Sequence, residues 1–194
     1  MGHFMVKKLQ KNSLESVTNA AAVLAVVASL FAAVCLITAG KAGGAANDKK
    51  TAALSAMMLR LESSTEASTA QVQAQTYLTQ AGMYFAYSDR ENDENVKSYL
   101  ENLGYTSIAM SNFQSSVAEN AENKAQSYYG VFEDNLSSAA KFDEIAGNRS
   151  TGALVFNVVA VLAEVTVIIK RREILFACLP VFAIGAYYLM ISLV

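Results

Sequence analysis

Tryptophan is missing from these 194 residues, and histidine, proline and cysteine nearly so, at one, one and two residues. Each shortage excludes something. The lone histidine, His3, stands in the N-terminal tail, so the rest of the chain lacks the commonest general base and any Cys/His metal spacing. No Gly-rich phosphate loop or nucleophile elbow is present. The two cysteines, Cys35 and Cys178, both fall inside apolar runs. The polar part of the chain therefore has no disulfide framework, and the cysteines themselves read as small apolar residues. The single proline, Pro180, leaves everything before it free of the strongest helix breaker. The chain reads as a non-enzyme without a cofactor.

What is present is apolar length. Three runs, residues 17–40, 151–169 and 174–194, are each about 20 residues, enough for a helix to cross roughly 30 Å of hydrocarbon. The last two are separated only by residues 170–173, Lys170-Arg171-Arg172-Glu173, which predicts a tight membrane hairpin. Residues 1–16, with Lys7, Lys8 and Lys11, resemble the start of a signal peptide, but the apolar run that follows is longer than an h-region of about 7–15 residues. A retained anchor is expected. Lys170, Arg171 and Arg172 place the hairpin loop in the cytoplasm by the positive-inside rule. That puts residues 41–150 outside and the N-terminus inside a cell membrane. The first span adds nothing, because Lys7, Lys8 and Lys11 face Lys41, Lys49 and Lys50 across it.

Residues 41–150 hold 9 of the 15 Lys and Arg and 14 of the 17 Asp and Glu, a net charge of −5 without a basic stripe, which argues against nucleic acid as a partner. The segment is rich in Ala, Ser, Gln, Asn and Glu and has no alternating β-branched run, so it reads as helix. Gly40-Lys41-Ala42-Gly43-Gly44 reads as a flexible exit from the membrane. An early stripe of Leu54, Met57, Met58 and Leu61 is followed by one through Ala67, Ala70, Ala74, Tyr77, Leu78, Ala81, Tyr84 and Phe85. Asp93 suits the N-cap of a short helix ended by Gly104. From Met110 a regular face runs through Phe113, Val117, Ala121, Tyr128, Phe132, Leu136, Ala139 and Phe142, with no proline before the second span. The expected fold class is all-α: three transmembrane helices and an extracytoplasmic long-helix hairpin or small helical bundle. Its aromatic residues Tyr77, Tyr84, Phe85, Phe113, Tyr128, Phe132 and Phe142 are expected to pack the outer helices together.

Inside the spans, Glu164 is the sharpest residue. It stands six residues before Lys170, roughly 9 Å from the cytoplasmic end, and Asn157 lies two turns earlier on nearly the same face. Together they fit either helix association or, through Glu164, an ion or proton path. In the first span Ala21, Ala25, Ser29 and Ala33 repeat a small residue every fourth position, a pattern that lets helix backbones approach. Asp89, Glu91, Asp93 and Glu94 suggest a calcium loop, but its sixth and twelfth positions are Glu94 and Leu100 where glycine and glutamate are required. A solvated turn is the plainer reading, and no metal site is expected.

The stretch Gly40-Lys41 through Ala45-Ala46-Asn47-Asp48 and the link Lys170-Arg171-Arg172 resemble a group of uncharacterised bacterial and archaeal membrane proteins, the DUF4337 family. That resemblance implies one N-terminal span, a polar helical segment and a closing hairpin of spans, and no established activity. The middle segment departs from the family, whose Trp-containing motif after the first span has no counterpart here. The expected role is a membrane accessory or scaffolding subunit, embedded in lipid and acting as a homo-oligomer or as part of a larger complex. The alternatives are an extracytoplasmic sensor or ligand-binding module signalling through a partner, and a channel component using Glu164.

Overall fold

The computed structural model describes residues 2–192, with side chains from Glu15 onward; the side chains of His3, Lys7, Lys8 and Lys11 lie outside the described residues. Three helices make up almost all of it: α1 (Gly2–Ser88), α2 (Glu94–Ile169) and α3 (Arg172–Ile191). No strand occurs among the described residues. The chain is all-α, and each helix contains a stretch long and apolar enough to cross a membrane. Packing divides the chain into two units, Met1–Lys49 with Ser137–Val194, and Lys50–Leu136. These bounds fall inside the polar segment read as 41–150, because α1 and α2 run unbroken past both of its ends.

Three local expectations are corrected. Gly40–Gly44 is helix, not a flexible exit. Ala42 and Ala46 are buried there, and that packing outweighs a helix cost of about 1 kcal/mol per glycine. Gly104 ends nothing and sits in the interior of α2. A Cβ at this position would come within 2.7 Å of the Phe85 ring, so the glycine makes room for an aromatic side chain. The link between α2 and α3 is shorter than four residues, since α3 begins at Arg172. Lys170 takes a left-handed conformation, φ 59°, while its N–H donates to the Thr166 carbonyl at 2.8 Å. One such residue is enough to stop a helix and reverse the chain, at a cost of roughly 1–2 kcal/mol for a non-glycine.

In the Lys50–Leu136 unit the two helices form a hairpin. Its turn is closed by acidic side chains acting on backbone. The Asp93 carboxylate accepts from Asn95 N–H at 2.9 Å and Val96 N–H at 3.4 Å, and so caps α2. The Glu91 carboxylate accepts from Asn92 and Asp93 N–H at 2.9 and 3.1 Å. Ser88, buried at the end of α1, donates toward the Lys97 carbonyl at 3.4 Å and the Glu101 carboxylate at 3.3 Å. Further along, Ser111 Oγ of α2 donates to the Ala74 carbonyl of α1 at 2.9 Å.

Candidate functional site

The unit containing all three apolar stretches is held by small residues. On α1 the buried positions are Ala21, Ala25, Ala28, Ala32, Cys35, Ala39, Ala42 and Ala46. They alternate steps of four and three, which keeps one face toward a neighbour at 3.5 residues per turn. Of the expected set Ala21, Ala25, Ser29 and Ala33, the first two are buried within the chain and the last two are exposed. Steps of four alone rotate about 40° each around a helix of 3.6 residues per turn, so the fourth member has swung about 120° away.

Opposite this face, α2 supplies Ala153, Phe156, Val159, Ala160 and Ala163, and α3 supplies Cys178 and Gly185. Phe156 is the wedge. Its ring stacks on Phe31 at 5.3 Å and meets Phe182 edge-on at 5.2 Å. Gly185 leaves the space it occupies, since a Cβ there would lie 3.1 Å from that ring. Thr166, wholly buried, returns its hydroxyl to the Leu162 carbonyl at 2.9 Å, which satisfies it without a partner helix.

One end of this unit carries a clamp that composition and spacing did not reveal. Arg149 Nε donates to Ser192 Oγ at 3.3 Å and Nη2 to the Ser192 carbonyl at 3.2 Å, while Nη1 reaches the Thr38 carbonyl at 3.4 Å. A single guanidinium therefore joins all three helices. Its five donors in a fixed fork suit such a task better than an ammonium. An arginine between a polar helix and an apolar run is the only cue the sequence offers.

Asn157 and Glu164 turn the other way. Both are exposed on α2, and neither is bonded to another described residue. Leu154, Val158 and Val161 share that outward face, and Asn157 borders a shallow depression of about 310 Å³ among them. Two polar side chains thus stand on the outer surface of an apolar stretch whose interior is already filled.

In the Lys50–Leu136 hairpin, Tyr77, Tyr84, Phe85, Tyr128 and Phe132 are half-buried, and Phe85 meets Tyr105 edge-on at 5.3 Å. Phe142 is half-buried too, but belongs to the other unit. Phe113 is a correction: it is 59% exposed. Ser111 takes the contact position on that turn, two residues away and so on nearly the opposite side of the helix. The early stripe of α1 is corrected likewise. Ala53, Ala56 and Ser63 are buried, whereas Leu54, Met57, Met58 and Leu61 point outward. Arg60 lays its guanidinium over the Tyr129 ring, 4.4 Å from the centroid. The Glu133 carboxylate, bonded to the same phenol, pushes its pKa above the ordinary value. Of the acidic turn residues, Glu91 and Asp93 each engage one carboxylate oxygen with backbone N–H groups.

No family model matches this chain, nor does any curated protein or solved structure.

Proposed function

We propose that the chain is a non-enzymatic, multi-pass membrane subunit, accessory or scaffolding, that works by packing its helices against a partner within the bilayer. The observation that supports this reading is the outward placement of Asn157 and Glu164. A charged side chain at the centre of a membrane helix costs roughly 2.5–3.5 kcal/mol on insertion scales, and less near the ends. The two residues are seven apart, so they address the same neighbour, and a partner offering hydrogen bonds would relieve both. The internal seam is closed by alanine, phenylalanine and valine, so an ion path using Glu164 would have to run between chains and again requires assembly. In this reading Lys170, Arg171 and Arg172 lie in the cytoplasm with the N-terminus, and residues 41–150 stand outside.

The test is the mass of the native particle, extracted in a mild detergent and weighed by native mass spectrometry. The parent should carry more than one chain, of its own or of another kind. The double variant Asn157→Leu, Glu164→Leu should release the partner at concentrations where the parent keeps it. A parent that flies as a bare monomer would end the proposal.

A further inference from the structure

We infer that the outward face of α2 around Glu164 is the docking site for a membrane helix of a different polypeptide, one that carries a lysine or arginine at the depth of Glu164. Leu154, Asn157, Val161, Glu164 and Ile168 are all exposed on this face. They alternate steps of three and four, the repeat that keeps a row of side chains toward one neighbouring helix. From Leu154 to Ile168 the row rises about 21 Å, most of a hydrocarbon core of roughly 30 Å. Val158 and Val165 flank it, so its polar groups are Asn157 and Glu164 alone. The whole row lies on one helix within one packing unit.

Charge selects the occupant, and the inference rests on the membrane reading above. Glu164 is the single charged side chain in the apolar stretches 17–40, 151–169 and 174–194. Exposed residues of the other two helices, such as Val26 and Leu30 on α1 and Phe176 and Leu179 on α3, are apolar and suit lipid as they stand. Lipid suits Glu164 badly, because headgroup cations begin beyond the hydrocarbon, roughly 9 Å further along the helix. A carboxylate at this depth is relieved by a cation within hydrogen-bond reach. A second copy brings the wrong sign. Copies inserted in one direction and packed through this row meet in register, Glu164 on Glu164. An inverted copy would set Glu164 beside Asn157, but would carry Lys170, Arg171 and Arg172 to the opposite side against the positive-inside rule. No lysine or arginine stands within the three stretches, so the cation comes from another polypeptide. Asn157, two turns away on the same row, adds an amide that both donates and accepts.

The experiment is photo-cross-linking of the full chain in the membranes of its own cell. The photoreactive residue p-benzoylphenylalanine replaces Val161 on the row, or Val34, exposed on α1, as the control. The Val161 product should join this chain to a polypeptide whose sequence, read by mass spectrometry, holds a lysine or arginine inside a membrane helix. Glu164→Asp should keep that product. Glu164→Gln, which keeps the shape and removes the charge, should lower its yield at least about tenfold, because the partner's cation is left unpaired. An equal yield from Val34 would overturn the face. A partner without a basic residue in its membrane helices, or a yield that Glu164→Gln leaves unchanged, would overturn the charge pairing. Products with lipid alone or with copies of this chain, from a native particle that still holds several chains, would overturn this partner and leave the proposed function standing. A bare monomer would overturn both.

Discussion

Replacing Arg149 by alanine removes every contact that the guanidinium makes to α1 and α3. Three hydrogen bonds at 3.2–3.4 Å are lost, two to Ser192 and one to Thr38. They are long and the side chain is half-buried and solvated, so each contributes about 0.5–1 kcal/mol, the lower part of the range for an ordinary hydrogen bond. The sum is about 1.5–3 kcal/mol. The buried thiols provide the assay, because Cys35 and Cys178 are both 0% exposed between the helices. A small maleimide reaches them only when the helices part, and the labelling rate in detergent reports that opening. At 1.36 kcal/mol per factor of ten, Arg149→Ala should label Cys35 roughly 10- to 150-fold faster than the parent. Arg149→Lys, a point charge that replaces one bond but not the fork, should fall between. If Cys178 accelerates equally, the unit opens as a whole; if Cys35 accelerates alone, the clamped end frays. Rates within twofold of the parent at both thiols would refute the view that this residue holds the three helices together.

Three further expectations concern individual side chains and glycines. Gly185→Val should cost about 1–3 kcal/mol and speed labelling of Cys178, because its Cβ meets Phe156 at 3.1 Å and that ring is fixed between Phe31 and Phe182. Gly152→Ala should change little, since its nearest neighbour lies at 3.5 Å, an ordinary contact. The Tyr129 phenol should titrate above the usual value near 10, and Glu133→Gln should bring it down, measured as phenolate absorbance against Tyr129→Phe. The sign follows from a folded-state pKa raised above the unfolded one: the contribution is complete below the unfolded pKa and is lost as pH rises through the folded one. A Glu133→Gln titration that does not move would exclude the carboxylate as the cause.

The helical class and the three apolar stretches were legible because both are written in long, regular patterns: no proline before Pro180, no strand alternation, and runs of about 20 apolar residues. The face of each helix was less so. Sequence reading weights large apolar residues, and on α1 those are Leu54, Met58 and Leu61, which point outward. The inner face belongs to Ala53, Ala56 and Ser63, whose value lies in being small, a property that hydrophobicity does not score. Phe113 and Ser111 repeat the lesson on α2. Steps of four lead to Ser29 and Ala33, which face outward, whereas Ala28, Ala32 and Cys35 carry the alternation that is buried within the chain. Arg149 was invisible because its acceptors are backbone carbonyls, which every residue has.

The clamp also sets a timetable. Thr38 and Arg149 are 111 residues apart, and every contact that α1 makes in its three-helix unit is to segments at or beyond Ser137. At about 5–20 residues synthesised per second, the first apolar stretch exists for some 6–20 s before its partners emerge, and under the proposed function it spends that interval in the bilayer. During that interval the alanine face of α1 is bare, and any neighbouring helix of another polypeptide has the first opportunity to occupy it.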